Sequence, residues 1–196
     1  MLERLSKLNI VRVGDHITYS SLKEIGENLV DSFYGVIWDF DLLHHSSPVL
    51  EGIDAYLLTS VLHEKYGGHI LGITAADLET DDEDEFYNSI LGGKNRENDV
   101  AVVSTKKLSP VEIKSEEDCD LYVGRILKVA LHEVGHNVGL GDHASHQNSK
   151  SGWLCPMSRG EFNKYGYKGY VKAIVDQRNF DFCEECSDFL KFWVKR

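Results

Sequence analysis

The chain is short of basic residues, of cysteines and of long apolar runs, and each shortage excludes something. Lysine and arginine number 21 against 32 aspartates and glutamates, a formal net charge of −11. Such a balance argues against the nonspecific nucleic-acid binding that basic patches give. No stretch approaches the roughly 18 consecutive apolar residues of a membrane span. The start, MLERLSKLNI, carries Glu3, Arg4 and Lys7 with no apolar core, so no secretory leader is expected there. The expectation is a cytoplasmic protein with no membrane partner.

Four cysteines, Cys119, Cys155, Cys183 and Cys186, are too few for a disulfide-built scaffold. In a reducing compartment such cysteines bind metal more often than they pair. Cys119, alone in "EEDCD", reads as an ordinary surface or half-buried thiol. The acidic run "DLETDDEDE" (77–85) reads as a solvated loop. A calcium loop is the sharper alternative, but the run lacks the central glycine and terminal glutamate spacing of an EF-hand.

What is present fits one domain. At 196 residues with 42% hydrophobic content the chain can bury a sizeable core. "LNIVRV" (8–13), "VIWDF" (36–40) and "HILGIT" (69–74) read as strands, short apolar runs bounded by turn residues. Between them, 20–35 has Leu22, Ile25, Leu29, Val30 and Phe33 at helical spacing. A second helix starts near Ser47-Pro48, with Ile53, Leu57, Leu58, Val61 and Leu62 on its apolar face and Gly67-Gly68 as its stop. Right-handed crossovers make these three strands parallel. "FYNSIL" (86–91) and "VAVVST" (100–105) follow, separated by "GGKNREND", too short for a helical crossover. They should pair antiparallel, or one should lie at an edge. The chain ends in a glycine-rich segment and an aromatic helix, "FCEECSDFLKFWVK".

The chemistry concentrates in "ALHEVGHNVGLGDHASH" (130–146). Residues 120–139 read as one helix with Leu127, Leu131, Val134 and Val138 as its packing stripe. His132 and His136 lie one turn and about 40° apart, so both imidazoles leave nearly the same face. This is the HExxH arrangement, two zinc ligands with Glu133 beside them as general base. Gly139 can take the left-handed conformation that ends a helix. The chain then turns, and Asp142 can swing back to the metal. Three arrangements stay open: Asp142 completes the site; His143 completes it, with His146 left for the cysteines; or the site holds metal too weakly to act.

With these residues in view, the chain resembles the metzincin metallopeptidases, whose signature is HExxHxxGxxH followed by a methionine turn. It looks most like the archaemetzincins: "HEVGHNVGLGD" (132–142), His143, "CPM" (155–157) and "CEEC" (183–186) fall in the family's order. "LGITAADL", "AVVSTKKL" and "RILKVALHEVGH" are also similar, so the resemblance spans roughly residues 8–190. It implies an α/β metzincin-like single domain: a twisted, mixed, mainly parallel five-stranded sheet with an antiparallel edge strand and an active-site helix. An N-terminal part (1–139) carries the sheet, and a zinc-stapled C-terminal subdomain (140–196) follows. It implies two zinc ions: a catalytic one on His132, His136 and Asp142, and a structural one on His143, Cys155, Cys183 and Cys186. Met157 is implied as the hydrophobic floor of the catalytic site.

Two positions depart from the family pattern. Asp142 stands where a third histidine is usual, and His143 where a cysteine is usual. Aspartate oxygen is an acceptable zinc ligand, and histidine can replace one thiolate in a structural site. The implied activity is hydrolysis of an extended peptide bound along segment 86–91. The alternative is a catalytically silent, zinc-stabilised relative that binds a peptide or partner. A redox CxxC at 183–186 is disfavoured, since Glu184 and Glu185 would raise the thiol pKa. Where some metzincins have a tyrosine two residues after the methionine, this chain has Arg159. Tyr165 and Tyr167 read as packing residues, and His16, His44, His45, His63 and His69 lack ligand spacing. If the enzyme is active, control by a removable N-terminal segment is not expected.

Overall fold

The computed structural model describes residues 7–33, 35–46, 52–79, 89–95, 97–110, 112–144, 152–159, 166 and 168–194. In chain order the elements are β1 (Lys7–Val13), α1 (Tyr19–Ser32), β2 (Asp39–His45), β3 (Gly52–Asp54), α2 (Ala55–Tyr66), β4 (His69–Thr74) and β5 (Asp77–Glu79). Then come β6 (Ser89–Ile90), β7 (Gly92–Asn95), β8 (Val100–Ser104), α3 (Glu116–Asn137), β9 (His143–Ala144), β10 (Ser158–Arg159), a π-helical turn (Val171–Val175) and α4 (Glu184–Val194).

The main sheet has five strands in the order β2-β1-β4-β8-β7, parallel except for the antiparallel edge pair β7/β8. From β1 the chain moves one way to β2 and then back past β1 to β4, so right-handed crossovers put α1 and α2 on opposite faces. The side chains follow. Leu8, Ile10, Ala101 and Val103 face the large cluster shared with α1 and α3, while Val11, Val13, Val100 and Val102 face α2. Strands buried on both faces read as continuous apolar runs, which is why β1, β4 and β8 stand out in the sequence.

Three expectations need correction. The second strand is Asp39–His45, displaced from 36–40. Val36 and Ile37 are buried, but in the turn after α1, where Val36 N–H donates to Phe33 O. The strand itself lies at the sheet edge, where Asp39 and Asp41 both pair with Lys7, and edges favour charge. Second, α2 is capped by Asp54, whose carboxylate accepts from Leu57 N–H. Its buried face is Ala55, Leu58, Thr59 and Leu62, with Leu57 and Val61 outward. The start expected near Ser47-Pro48 lies outside the described residues.

Third, the edge strand of the main sheet is Gly92–Asn95, the stretch that read as a spacer. Of segment 86–91, Ser89–Ile90 pairs antiparallel with β5 in a separate three-stranded sheet, β3-β5-β6, and 86–88 lies outside the described residues.

Helix α3 also begins earlier than its apolar stripe suggests. Ser115 and Asp118 form a reciprocal capping box, with Glu116, Glu117 and Asp118 in the first turn, where acidic groups suit the helix dipole. Leu127, Leu131, Val134 and Val138 are buried as expected, and Leu154, Ile174, Val175, Phe182 and Leu190 enter the same cluster. No helix among the described residues is long and apolar enough to cross a membrane.

Candidate metal centres

The last turn of α3 brings His132 and His136 together with their Nε2 atoms 3.2 Å apart. Gly139 takes φ +98° and ends the helix, a conformation that a side chain disfavours. The chain reverses there, and Asp142 Oδ1 arrives 3.4 Å from His132 Nε2 and 3.2 Å from His136 Nε2. Zinc bonds of 2.0–2.1 Å in a tetrahedron require ligand atoms roughly 3.3–3.4 Å apart. The three atoms therefore describe one face of such a tetrahedron, and among the described residues no fourth His, Cys, Asp or Glu joins them.

The hydrogen bonds identify what these atoms need. His132 Nδ1 lies 3.0 Å from Pro156 O and His136 Nδ1 lies 3.0 Å from Leu140 O. A carbonyl can only accept, so each Nδ1 carries a proton, and each Nε2 faces the centre, where a metal would take its lone pair. Burial pushes the His132 pKa well down, which favours the neutral form. The close approach of His136 holds the Asp142 carboxyl below the usual carboxylate range, so it joins the set as an anion. Two Nε2 atoms and a carboxylate oxygen converge. A cation satisfies all three.

Glu133 sits beside this triangle, 9% exposed, and burial raises its pKa. Its space comes from the edge strand: a Cβ on Gly92 would lie 2.7 Å from Glu133 Cγ. Lys94, two residues along β7, is on the same face of the strand, and its charge lowers the pKa of both Glu133 and Asp142. Below the centre, Met157 is fully buried, and its sulfur would lie 2.5 Å from a Cβ on Gly135.

A second cluster lies behind the first. His143 Nε2 is 2.9 Å from Cys186 Sγ and 3.4 Å from Cys183 Sγ, and Cys155 Sγ is 3.9 Å from Cys186 Sγ. The four ligand atoms fall within 4.8 Å of one another. Tetrahedral zinc–sulfur bonds of 2.3 Å imply sulfur–sulfur edges of about 3.8 Å, close to the Cys155–Cys186 separation. Cys183 N–H donates to Cys155 Sγ at 3.5 Å. Hydrogen bonding from Cys186 brings the Cys155 pKa down to about 5 and pushes Cys186 up in return. All three cysteines are unpaired and buried, and Cys119 is unpaired and exposed.

Adjacent residues therefore diverge, Asp142 toward the histidines and His143 toward the cysteines. His146, Tyr165 and Tyr167 lie outside the described residues. His16, His44, His45, His63 and His69 join no metal-type cluster among the described residues.

Sequence reasoning overlooked Arg178. It is 3% exposed, and its Nε and Nη2 donate to Ser158 O at 3.2 and 2.7 Å. The guanidinium lies in the field of Tyr170, Glu133, Asp142 and Cys155. Nothing in "VDQRNF" marks it. Gly135 was visible as a glycine inside a helical pattern, a usual sign of close packing.

Comparison with known proteins identifies the family. Residues 57–192 match the model of peptidase family M54. A curated archaemetzincin from Methanopyrus kandleri is 30% identical over 129 residues, 65% of this chain and 58% of that protein. The match therefore spans less than two thirds of that relative's length. The fold resembles the crystal structure of M. kandleri archaemetzincin, with TM-score 0.73 and 23% identity over 100% of this chain and 99% of that one. It also resembles the Archaeoglobus fulgidus archaemetzincin crystallised with malonate, with TM-score 0.64 and 20% identity over 93% and 98% of the two chains. A zinc-dependent peptidase from Methanocorpusculum labreanum gives TM-score 0.61 at 16% identity over 93% and 99%. The chain belongs to peptidase family M54, the archaemetzincins.

Proposed function

We propose that this protein is a zinc-dependent peptidase with His132, His136 and Asp142 as ligands of the catalytic zinc and Glu133 as general base. The observation that carries the reading is the set of three acceptor atoms, 3.2–3.4 Å apart, beside a buried carboxylate on the same helix. Zinc at that centre supplies Lewis acidity toward a scissile carbonyl and a water. Glu133 takes the water's proton as attack begins and delivers it to the leaving amine. Burial keeps this carboxyl basic enough to accept that proton and excludes competing solvent. His132 and His136 stay fixed by Pro156 O and Leu140 O, so the centre is preorganised.

The substrate is an extended peptide that adds to the edge of the main sheet. Because that edge is β7, the binding segment is Gly92–Asn95 and not 86–91. Strand addition there brings the scissile bond alongside Glu133. Gly92 leaves the necessary room.

His143, Cys155, Cys183 and Cys186 hold the second zinc, which has a structural role. It joins the methionine turn to the start of α4 and staples residues 140–196 as a C-terminal subdomain. Metal binding there contributes directly to folding. A reducing compartment such as the cytoplasm keeps these thiols available.

The test is zinc content with peptidase assays on wild type, Glu133→Ala and Asp142→Ala. The reading expects two zincs per wild-type chain, one in Asp142→Ala, and activity lost in Glu133→Ala with both zincs retained. One bound zinc in wild type, retained in Asp142→Ala and with no peptide cleavage, would instead favour the silent relative with an empty or weak catalytic site.

A further inference from the structure

The carboxylate of Asp142 has two oxygens, and they face different neighbours. Oδ1 faces both imidazoles, whereas Oδ2 lies 3.7 Å from Arg159 Nη1. The backbone makes this second approach a built feature. Residues 158–159 form β10, which pairs in parallel with β9 in the register Ser158↔His143 and Arg159↔Ala144. His143 N–H donates to Met157 O. The Ser158 carbonyl, part of the peptide leading into Arg159, is held by two bonds from the buried Arg178. Ser158 is fully buried, so alternation along the strand sends the Arg159 side chain outward, over Asp142.

A carboxylate can bind zinc through one oxygen or through both. Bound through both, Asp142 would take up a further coordination position, the one a catalytic zinc keeps for water or substrate. A histidine in this place would offer a single nitrogen and raise no such problem. We propose that Arg159 is a positioning residue that engages Oδ2 of Asp142, holds the carboxylate as a one-oxygen ligand through Oδ1, and keeps the fourth corner of the centre open. The inference rests on Asp142 being the third ligand. Arg159 also returns a positive charge next to a ligand set made less positive by an aspartate. As a partly exposed ion pair it contributes little to folding. Its effect falls on the ligand.

The experiment is cobalt(II) substitution at the histidine site with zinc retained at the cysteine site, in wild type, Arg159→Ala, Arg159→Lys and Asp142→Ala. Lack of sulfur-to-cobalt charge-transfer absorption verifies where the cobalt sits. Wild type should give the intense visible bands of four-coordinate cobalt. Arg159→Ala should shift to the weaker bands of a higher coordination number, as the freed carboxylate binds through both oxygens. Arg159→Lys, which keeps a donor and the charge, should restore most of the four-coordinate spectrum. A wild-type cobalt spectrum in Arg159→Ala overturns the inference. An unchanged spectrum and affinity in Asp142→Ala overturns the ligand assignment beneath it, which is a separate result.

Discussion

Replacing Gly135 by alanine tests how tightly the methionine turn is packed beneath the histidines. In isolation the change should help, because glycine within a helix costs about 1 kcal/mol relative to alanine. Here the new Cβ would lie 2.5 Å from Met157 Sδ and 3.3 Å from its Cε. Ordinary contacts between such atoms are about 3.5–4.0 Å, so the sulfur must retreat by about 1 Å. Met157 is fully buried and has no solvent to move into. Overpacking of this kind costs about 1–3 kcal/mol, which outweighs the helical gain and leaves a net loss of about 1 kcal/mol. For a chain of this size that lowers the melting temperature by about 2–4 °C. Met157→Ala removes the obstacle. In that background Gly135→Ala should stabilise, because only the helical gain and a partly filled cavity remain. The assay is thermal unfolding of the two single variants, the double variant and wild type, all in excess zinc. If Gly135→Ala has the same sign in both backgrounds, Met157 is not packed on this turn as described.

Four further outcomes follow from the geometry. Glu133→Gln should lower kcat/KM by about 10²–10⁴ at unchanged zinc content; zinc loss in this variant would make Glu133 a structural residue instead. Gly92→Ala should push the Glu133 side chain aside and lower kcat on the order of a hundredfold with little change in KM, so an unaffected kcat would place the base elsewhere. Cys186→Ser should bind one zinc fewer and melt lower than wild type; retention of two zincs would remove Cys186 from the ligand set. Arg178→Met leaves Ser158 O without its donors and the nearby anions without a cation. It should cost about 3–5 kcal/mol in urea unfolding, and a neutral result would mean that the guanidinium compensates nothing.

How much could be seen in advance depends on which force placed each element. Strands β1, β4 and β8 are sandwiched between helices, so burial on both faces wrote itself into them as unbroken apolar runs. The stripe of α3 and the Gly139 reversal are local features and were equally visible. The edges were not. Strand β2 is half polar because one of its sides lacks a neighbour, and the buried pair Val36-Ile37 mimicked a strand just before it. Strand β7 reads GGKN, a poor strand by propensity, because Glu133 occupies the space that a side chain on Gly92 would need. Such a requirement comes from a residue forty positions away and leaves no periodic trace. Arg178 is the same case: a buried arginine has no pattern around it until the carbonyl and carboxylates it serves are assembled.

The placing of Asp142 and His143 on different centres has a mechanical consequence. Neighbouring side chains on an extended backbone point to opposite sides, so one peptide unit can serve both clusters without bending. The same economy appears across from it. In "CPM", Cys155 belongs to the sulfur cluster, Pro156 O orients His132, and Met157 packs on Gly135 and accepts from His143 N–H. On the proposed assignment, metal at the cysteine centre fixes His143 and Cys155, and with them the two short segments that carry Asp142 and the His132 carbonyl partner. The histidine centre has no comparable hold on the cysteines, since its two imidazoles are already secured on a helix with its own core. By linkage the two metals still help each other equally in free energy. The asymmetry is one of construction: the cysteine centre assembles loops, and the histidine centre uses what has been assembled.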